Sequence, residues 1–131
     1  MEPLTLDAIQ TAIRQCWDIE TCDPDDVPVW VPTTASRGQC IATALVVHDI
    51  FGGELLEAKV HDNGVHRGYH TWNRLPGGID VDLTRDQFLE NEVVGEPEVV
   101  PGISGPGMRV ASQYAVLRAR LDAKLHELAH G

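Results

Sequence analysis

Apolar positions near the start of the chain recur at the spacing of one helix face. Within residues 5–17 the apolar stripe falls at i, i+3, i+4, i+7 and i+8. Its members are Ile9, Ala12, Ile13, Cys16 and Trp17. Thr5 stands where an N-cap is expected. The pattern predicts an amphipathic helix over 5–17, with Cys16 packed in the core.

The next apolar segment, residues 40–51, is hydrophobic almost all round. A helix of this kind belongs in the centre of a core. The pair Gly52-Gly53 directly after it supplies a C-terminal stop. Residues 18–39, which precede it, carry three prolines and therefore predict a loop.

Three extended segments follow the central helix. Residues 54–60 and 65–75 are separated by an Asn-Gly turn signal, which is typical of a hairpin. After a Pro-Gly-Gly turn, residues 79–83 alternate between apolar and acidic side chains, as a half-buried strand does. The pattern predicts an antiparallel meander.

The last third of the chain is less regular. Residues 84–87 have the Ser/Thr-x-x-Glu/Gln form of a capping box and predict a short helix or turn. Residues 91–107 contain three prolines and four glycines, which predicts irregular structure. Residues 108–129 predict a closing helix, because apolar residues recur every three or four positions. They are Val110, Tyr114, Leu117, Leu121, Leu125 and Leu128.

These elements predict a single α+β domain over residues 1–131. We expect the 40–51 helix to pack on a small antiparallel sheet, with the first and last helices on its flanks. A chain of 131 residues is long enough to build one such core.

The amino-acid composition limits the classes of binding partner. The formal net charge of −10 argues against nucleic acid and anionic membranes, since both need basic patches. No apolar stretch reaches the roughly 18 residues that span a bilayer, and the N-terminus lacks the features of a signal peptide. We therefore expect a cytoplasmic protein. Its three cysteines cannot all pair within one chain, which predicts free thiols.

Candidate chemistry centres on Cys40, which stands where the polar loop becomes the buried helix. A helix N-terminus stabilises a thiolate. His70 on one strand and Asp82 on the next complete a nucleophile, a base and a carboxylate that orients the base. We expect the Gln39 amide and the Cys40 backbone N–H to donate to an oxyanion.

Strand register decides whether His70 and Asp82 can meet. With a three-residue Pro-Gly-Gly turn, Asp82 lies opposite Trp72. His70 and Asp82 are then diagonal neighbours on one face, roughly 7–8 Å apart at Cα. Asp80 lies opposite Arg74, farther from His70, and is the alternative orienter. Trp72 either walls the cleft or belongs to the core.

Simpler interpretations stand beside the triad. A cysteine before an apolar run is commonly a packed thiol, and strand histidines are commonly structural. Cys22 is expected to be a poor nucleophile, because the neighbouring aspartates raise a thiol pKa. His61, His66 and His70, with Cys40, are a candidate zinc set, although their spacing is not that of a typical zinc site.

The segments HTWN at 70–73 and VDLT at 81–84 resemble the His-x-Trp-Asn and Val-Asp-x-Thr signature of transglutaminase-core proteins. That resemblance implies a triad of Cys40, His70 and Asp82. It also implies a papain-like architecture, which NlpC-type peptidases and arylamine N-acetyltransferases share. The stretch SRGQC, which ends at Cys40, is similar to the Arg-Gly-Gly-x-Cys of those acetyltransferases, with one glycine in place of two.

A closer resemblance is to small bacterial proteins of the YunG-like family. It covers about residues 30–90 and is carried by GQCIATALVVHDIFGGELL and HTWNRLPGGIDVDLTRDQF, in that order. That family has no assigned substrate, so the resemblance supports the fold and the triad and leaves the reaction open.

The resulting prediction is a papain-like cysteine hydrolase or acyltransferase, of peptidase, amidase or deamidase type. Its substrate contains an amide or acyl group of unidentified structure, and no cofactor or metal ion is expected. The chain lacks room for the extra domains and calcium sites of true transglutaminases, so we expect neither cross-linking nor calcium dependence. The alternatives are a non-catalytic ligand-binding domain and a zinc-binding module.

Overall fold

The computed structural model describes residues 5–88, 90–100 and 110–130. It has α+β architecture. The helices are α1 (Leu6–Arg14), α2 (Cys40–Phe51) and α3 (Ala111–His130), and the strands are β1 (Glu54–Asp62), β2 (Val65–Leu75), β3 (Ile79–Val81), β4 (Glu92–Val94) and β5 (Glu98–Val100). Short 3₁₀ turns lie at Val27–Val29, Pro32–Thr34 and Arg85–Gln87.

Helix α1 begins as the sequence predicts. The Thr5 hydroxyl accepts a hydrogen bond from the Ala8 N–H at 3.1 Å, which satisfies one of the free donors of the first turn. The helix ends at Arg14, short of the predicted residue 17. Cys16 and Trp17 are nevertheless buried beside it, so the predicted core stripe is confirmed.

Helix α2 has the predicted bounds and lies at the centre of the core. Every residue from Cys40 to Val47 is buried. The helix packs on β1 and β2 and also against α3. Gly52, with φ 74°, ends the helix in a conformation that favours glycine. Burial on all sides explains why the segment is apolar all round.

All pairings in the sheet are antiparallel, and the strand order is β3-β2-β1. Strands β4 and β5 pair with different parts of β1, near Asp62 and near Leu55 respectively. The predicted meander is therefore confirmed for the first three strands. The hairpin turn between β1 and β2 uses the left-handed pair Asn63 and Gly64.

The segment that the sequence marked as irregular is partly a sheet edge. Strands β4 and β5 lie within residues 92–100, so the prediction of irregular structure over 91–107 is wrong there. Each strand has only three residues, and Gly95-Glu96-Pro97 separates the two. Three residues are too few for an alternating pattern to stand out. The remaining residues, from 101, lie outside the described part of the chain.

Helix α3 covers the other side of α2. Val110, Leu117 and Leu121 are buried, whereas Leu128 is exposed, so the helix extends beyond the core. The predicted start at residue 108 lies outside the described residues. Within the described ranges, no helix combines the length and apolar character needed to cross a membrane.

Candidate functional site

Cys40 is the first residue of α2, with its side chain at the helix N-terminus. The first N–H groups of a helix have no acceptor inside it. Gln39, at the N-cap position, has helical dihedrals and makes no side-chain cap. Thr43 is the first residue to bond back, through its N–H to the Gln39 carbonyl at 3.0 Å. The turn around Cys40 thus presents backbone donors.

The residue before this turn must be glycine. Gly38 has φ 72°, and a Cβ there would lie 2.5 Å from the Cys22 Sγ and 2.9 Å from the Asp26 Cβ. The Gly38 carbonyl also accepts the Asp23 N–H at 2.8 Å. The 18–39 loop therefore packs tightly against the approach to Cys40, and the bare backbone of Gly38 permits it.

His70 and Asp82 meet as the strand register predicts. Leu75 pairs with Ile79, as a three-residue turn requires. The His70 Nε2 lies 2.5 Å from the Asp82 Oδ2. Asp80 instead accepts a hydrogen bond from the Arg74 guanidinium at 2.7 Å. The alternative prediction, that Asp80 orients His70, is therefore wrong.

The carboxylate of Asp82 is itself held in place. Strand β3 ends at Val81, and Asp82 opens the turn that follows, so the predicted strand end at residue 83 is wrong. The Asp82 Oδ1 accepts the Thr84 N–H at 3.3 Å, while its other oxygen faces His70. The turn thus aims one oxygen of the carboxylate at the ring.

The His70 ring is enclosed by aromatic side chains. It is only 1% exposed. Trp72 stacks on it, with ring centroids 5.3 Å apart, and Phe88 meets it edge-on at 4.6 Å. Trp72 therefore serves as a wall of the histidine. The low polarity of these walls strengthens the electrostatic interactions of the ring with its acidic partners.

The charge state of His70 depends on two acids. Burial alone lowers the pKa of the ring, because it disfavours the charged form. Hydrogen bonds to Asp82 and Cys40, and the negative charges of both, outweigh burial and raise the pKa to about 9. His70 therefore interacts with both Cys40 and Asp82, and both favour the imidazolium form of the ring.

Gln87 is a site residue that sequence reasoning missed. Its Nε2 lies 3.4 Å from the His70 Nδ1 and donates to the Thr84 hydroxyl at 2.9 Å. Its Oε1 accepts the Gly38 N–H at 3.2 Å. The capping-box pattern did mark this position, and the predicted turn is present. Thr84 makes no side-chain cap, however, and the glutamine joins the histidine to the loop before Cys40.

Gln39 does not have the geometry expected of an oxyanion donor. Its side chain is fully buried, its Oε1 accepts the Thr21 hydroxyl at 2.6 Å, and its Nε2 donates to the Asp18 carbonyl at 3.1 Å. These bonds fix the start of α2 to the preceding loop. We therefore assign Gln39 an anchoring role in place of the predicted oxyanion role.

The other two thiols differ from Cys40 in their surroundings. Burial raises the pKa of Cys16, which is packed beside α1 and donates to the Ala12 carbonyl at 3.3 Å. Burial, followed by the charges of Asp26 and Asp23, raises the pKa of Cys22 to about 12. The expected rise in the pKa of Cys22 is present, with burial as its main cause, and the low nucleophilicity of this thiol stays a prediction.

The candidate zinc residues are only partly brought together. The rings of His61 and His66 lie 5.7 Å apart near the β1–β2 turn, whereas His70 is engaged by Asp82. Across the described ranges, no group of three or more His, Cys, Asp or Glu side chains could hold a metal ion. The geometry therefore offers no support for the zinc-binding alternative.

A cleft of about 250 Å³ lies behind the neighbours of Cys40 and His70, although neither Cys40 nor His70 lines it. Ile41, which follows Cys40 in α2, lines it, as do Gln87 and Phe88 from the turn beside His70. The cleft thus shares side chains with the surroundings of both groups.

Comparison with known proteins identifies relatives of uncharacterised function. A profile of the YunG protein family matches residues 5–126. The chain is 28% identical over 83 residues to "Uncharacterized protein YunG" of Bacillus subtilis (strain 168). That alignment covers 63% of this chain and 63% of the relative, so it spans less than two thirds of the relative's length. No solved structure matches significantly.

Proposed function

This chain belongs to the YunG family, and we propose that it is a cysteine hydrolase or acyltransferase of papain-like architecture, which acts on an amide or related acyl bond. Cys40 is the nucleophile, His70 the base and Asp82 the group that orients the base. The central helix followed by antiparallel strands supports this assignment of the fold.

One observation carries the proposal: the buried His70 ring is paired with Asp82 and has the Cys40 thiol nearby. Asp82 Oδ2 lies 2.5 Å from one ring nitrogen, and Cys40 is near enough to raise the pKa of the ring. Structural histidines are usually satisfied by one partner on a surface or in a core. A thiol at a helix N-terminus, joined to a histidine that a carboxylate orients, is the arrangement that activates a nucleophile.

In the proposed reaction the Cys40 thiol gives its proton to His70, and the sulfur attacks the carbonyl carbon and forms a tetrahedral intermediate. His70 then gives its proton to the leaving nitrogen, the C–N bond breaks, and an acyl-enzyme remains. His70 next takes a proton from water or from an acceptor amine, which attacks the acyl carbon and releases the product and the Cys40 thiolate.

Two sets of donors are placed to stabilise the oxyanion. The backbone N–H groups at the start of α2 have no acceptor inside the helix, and the Cys40 N–H is among them. Gln87 supplies the second donor. One N–H of its Nε2 is directed to Thr84, and the other lies toward the His70 Nδ1 at a long 3.4 Å. An incoming carbonyl oxygen offers that N–H a better acceptor once the ring is protonated.

An acyl-transfer assay tests the proposal. The intact protein is mixed with p-nitrophenyl acetate, the release of p-nitrophenolate is followed, and the acetyl group is located by peptide mass spectrometry. We expect a burst of one equivalent and an acetyl group on Cys40. Cys40→Ser and Cys16→Ser are the test and control variants. Acetylation that is absent from Cys40, or unchanged in Cys40→Ser, contradicts the proposal.

A second candidate is a non-catalytic ligand-binding domain that uses the same cleft. The low exposure of the two reactive groups favours it, since Cys40 is 8% and His70 1% exposed. This candidate predicts that Cys40 titrates near the usual thiol pKa of about 8.5 and forms no acyl-enzyme. The burst assay separates the two.

We also propose a cytoplasmic location. Three free cysteines are compatible with it, because oxidising compartments favour disulfides.

A further inference from the structure

The cleft is separated from Cys40 and His70 only by side chains that neighbour them. Gln87 and Phe88 both line the cleft and contact His70. Ile41 lines it from the residue next to Cys40. A substrate whose carbonyl group reaches the Cys40 sulfur has to pass only these side chains to place another part of itself in the cleft.

The walls of the cleft provide apolar and aromatic surface as well as room. Val60 of β1 and Tyr69 of β2 line it together with Phe88. Gly68 also lines it, and a Cβ at that position would meet nothing within 4 Å. A volume of about 250 Å³ is slightly smaller than that of most sites for whole small molecules, which begin at about 300 Å³. It suits one side-chain-sized group.

The charges of the residues that line the cleft determine whether it favours a cationic or an anionic part of the substrate. The described residues that line the cleft include four carboxylates and two guanidinium groups, those of Arg37 and Arg67. The carboxylates are Asp23, Asp25, Asp26 and Glu92. One of the two cations, Arg37, is engaged by Glu92 at 2.8 Å and by Asp26 at 3.5 Å. The lining therefore carries net negative charge.

The surroundings of Asp26, which lines the cleft, have the same negative charge. Burial raises the pKa of this carboxyl, and although Arg37 opposes the shift, Asp23, Asp25 and Glu92 add to it. Each of these neighbouring carboxylates makes further negative charge unfavourable here. A cation entering the cleft relieves that repulsion.

We propose that this cleft binds a cationic part of the substrate, an amine or guanidinium on a short apolar stem. The stem lies along Tyr69 and Phe88, the charge lies near the carboxylates, and the amide or acyl group lies at Cys40. This inference depends on the proposed function, because it takes Cys40 to be the reacting atom.

Charged thiol reagents test the inference without a known substrate. Three methanethiosulfonates are compared: the neutral methyl reagent, the cationic trimethylammonioethyl reagent and the anionic sulfonatoethyl reagent. In each case the Cys40 thiolate forms a disulfide bond with the reagent and methanesulfinate leaves. We expect the cationic reagent to react about tenfold faster than the anionic one, or more, at low ionic strength. The ratio should fall with added salt.

Matched charge reversals separate the cleft from the overall charge of the chain. Asp25 lines the cleft and is exposed, so Asp25→Lys does not bury a charge in the protein interior. Glu127 is exposed on α3 and does not line the cleft, and Glu127→Lys makes the same change in net charge. We expect Asp25→Lys to lower the cation-to-anion rate ratio at least about fivefold, and Glu127→Lys to lower it far less.

The neutral reagent distinguishes failure of the cleft proposal from failure of the proposed function. If it modifies Cys40 readily but the charged reagents react equally fast, or the two reversals have equal effects, the cleft proposal is overturned and the proposed function stands. If none of the three reagents modifies Cys40 in the folded protein, both are overturned. A cation preference that Asp25→Lys removes supports the cleft as the binding site.

Discussion

His70 is the residue on which the proposed chemistry depends. Its ring is held between Trp72 and Phe88, and one nitrogen is fixed by Asp82 at 2.5 Å. Such confinement excludes rotamers that would point the ring away from Cys40. The His70 side chain therefore loses little conformational freedom when it accepts or donates a proton. The same enclosure leaves the imidazolium dependent on its two acidic partners for stabilisation.

Replacing Asp82, the proposed orienting carboxylate, should make the thiolate form of Cys40 less stable. In Asp82→Asn the amide cannot stabilise the imidazolium as a carboxylate does, so the Cys40 thiolate loses its counter-ion. We expect alkylation of Cys40 by iodoacetamide at neutral pH to slow about tenfold or more. Asp80→Asn is the matched control, because Asp80 bonds Arg74 on the same strand pair and should leave the rate unchanged. Equal effects of the two variants would argue against a specific role for Asp82.

The Gln87 side chain should act on acyl transfer more than on thiol reactivity. In Gln87→Leu the oxyanion loses one donor, which typically costs about 10²–10³ in rate. Alkylation by iodoacetamide forms no oxyanion, so we expect it to change less than about threefold. Both reactions are measured on the same preparation of each variant. A loss of equal size in both reactions would show that Gln87 only maintains the site.

Among the elements, α2 and β2 determine where the chemistry lies, since they carry Cys40 and His70. The turn between α2 and β1 brings its backbone close to the end of β2. Gly53 has φ 86°, and a Cβ there would lie 2.2 Å from the Arg74 carbonyl oxygen. The sequence marked Gly53 as a helix stop. The close approach to β2 could not be seen in it, because it depends on how the helix packs on the sheet.

A methyl group at this turn should be costly. We expect Gly53→Ala to lower the free energy of unfolding by about 2–4 kcal/mol, because strain at positive φ adds to a clash with the backbone. Gly77→Ala is the control, since Gly77 has φ 97° but a Cβ would meet nothing within 4 Å. Its cost should be about 1 kcal/mol. Urea unfolding of both variants measures the difference, and equal losses would show that the close approach is relieved at no cost.

For the molecule as a whole, stability should depend on pH through His70. The pKa of the folded state, about 9, lies above the ordinary value of 6.5. The stabilisation is therefore fully present below about pH 6.5 and is lost as the pH rises through 9. In the wild type, the proton that His70 gains is offset by the proton that the proposed Cys40 thiolate has lost, so the test uses Cys40→Ala, in which the ring alone exchanges the proton. Asp82 still raises the pKa of His70 there, and we expect the urea midpoint to fall from about pH 6.5 upward, ending below pH 9 because one acidic partner is absent. A midpoint of Cys40→Ala that stays flat above pH 6.5 contradicts the His70–Asp82 pair.

The sequence predicted the larger features because they are periodic. The apolar run of α2, the alternation of β3 and the Pro-Gly-Gly turn were enough to align His70 with Asp82. The edge strands β4 and β5 were missed because three residues carry no period. The sequence assigned the oxyanion role to Gln39 because Gln39 is adjacent to Cys40. Gln87 was missed because the fold brings it to His70 from a turn far along the chain.

The pH dependence of Cys40 alkylation tests the central claim most directly. Intact protein is treated with iodoacetamide across pH 5–10, and peptide mass spectrometry follows Cys40, with Cys16 and Cys22 as internal controls. A thiolate–imidazolium pair predicts an apparent pKa for Cys40 well below about 8.5, and a higher one in His70→Ala. If Cys40 titrates as an ordinary thiol in both proteins, or reacts no faster than the buried Cys22, Cys40 is not an activated nucleophile.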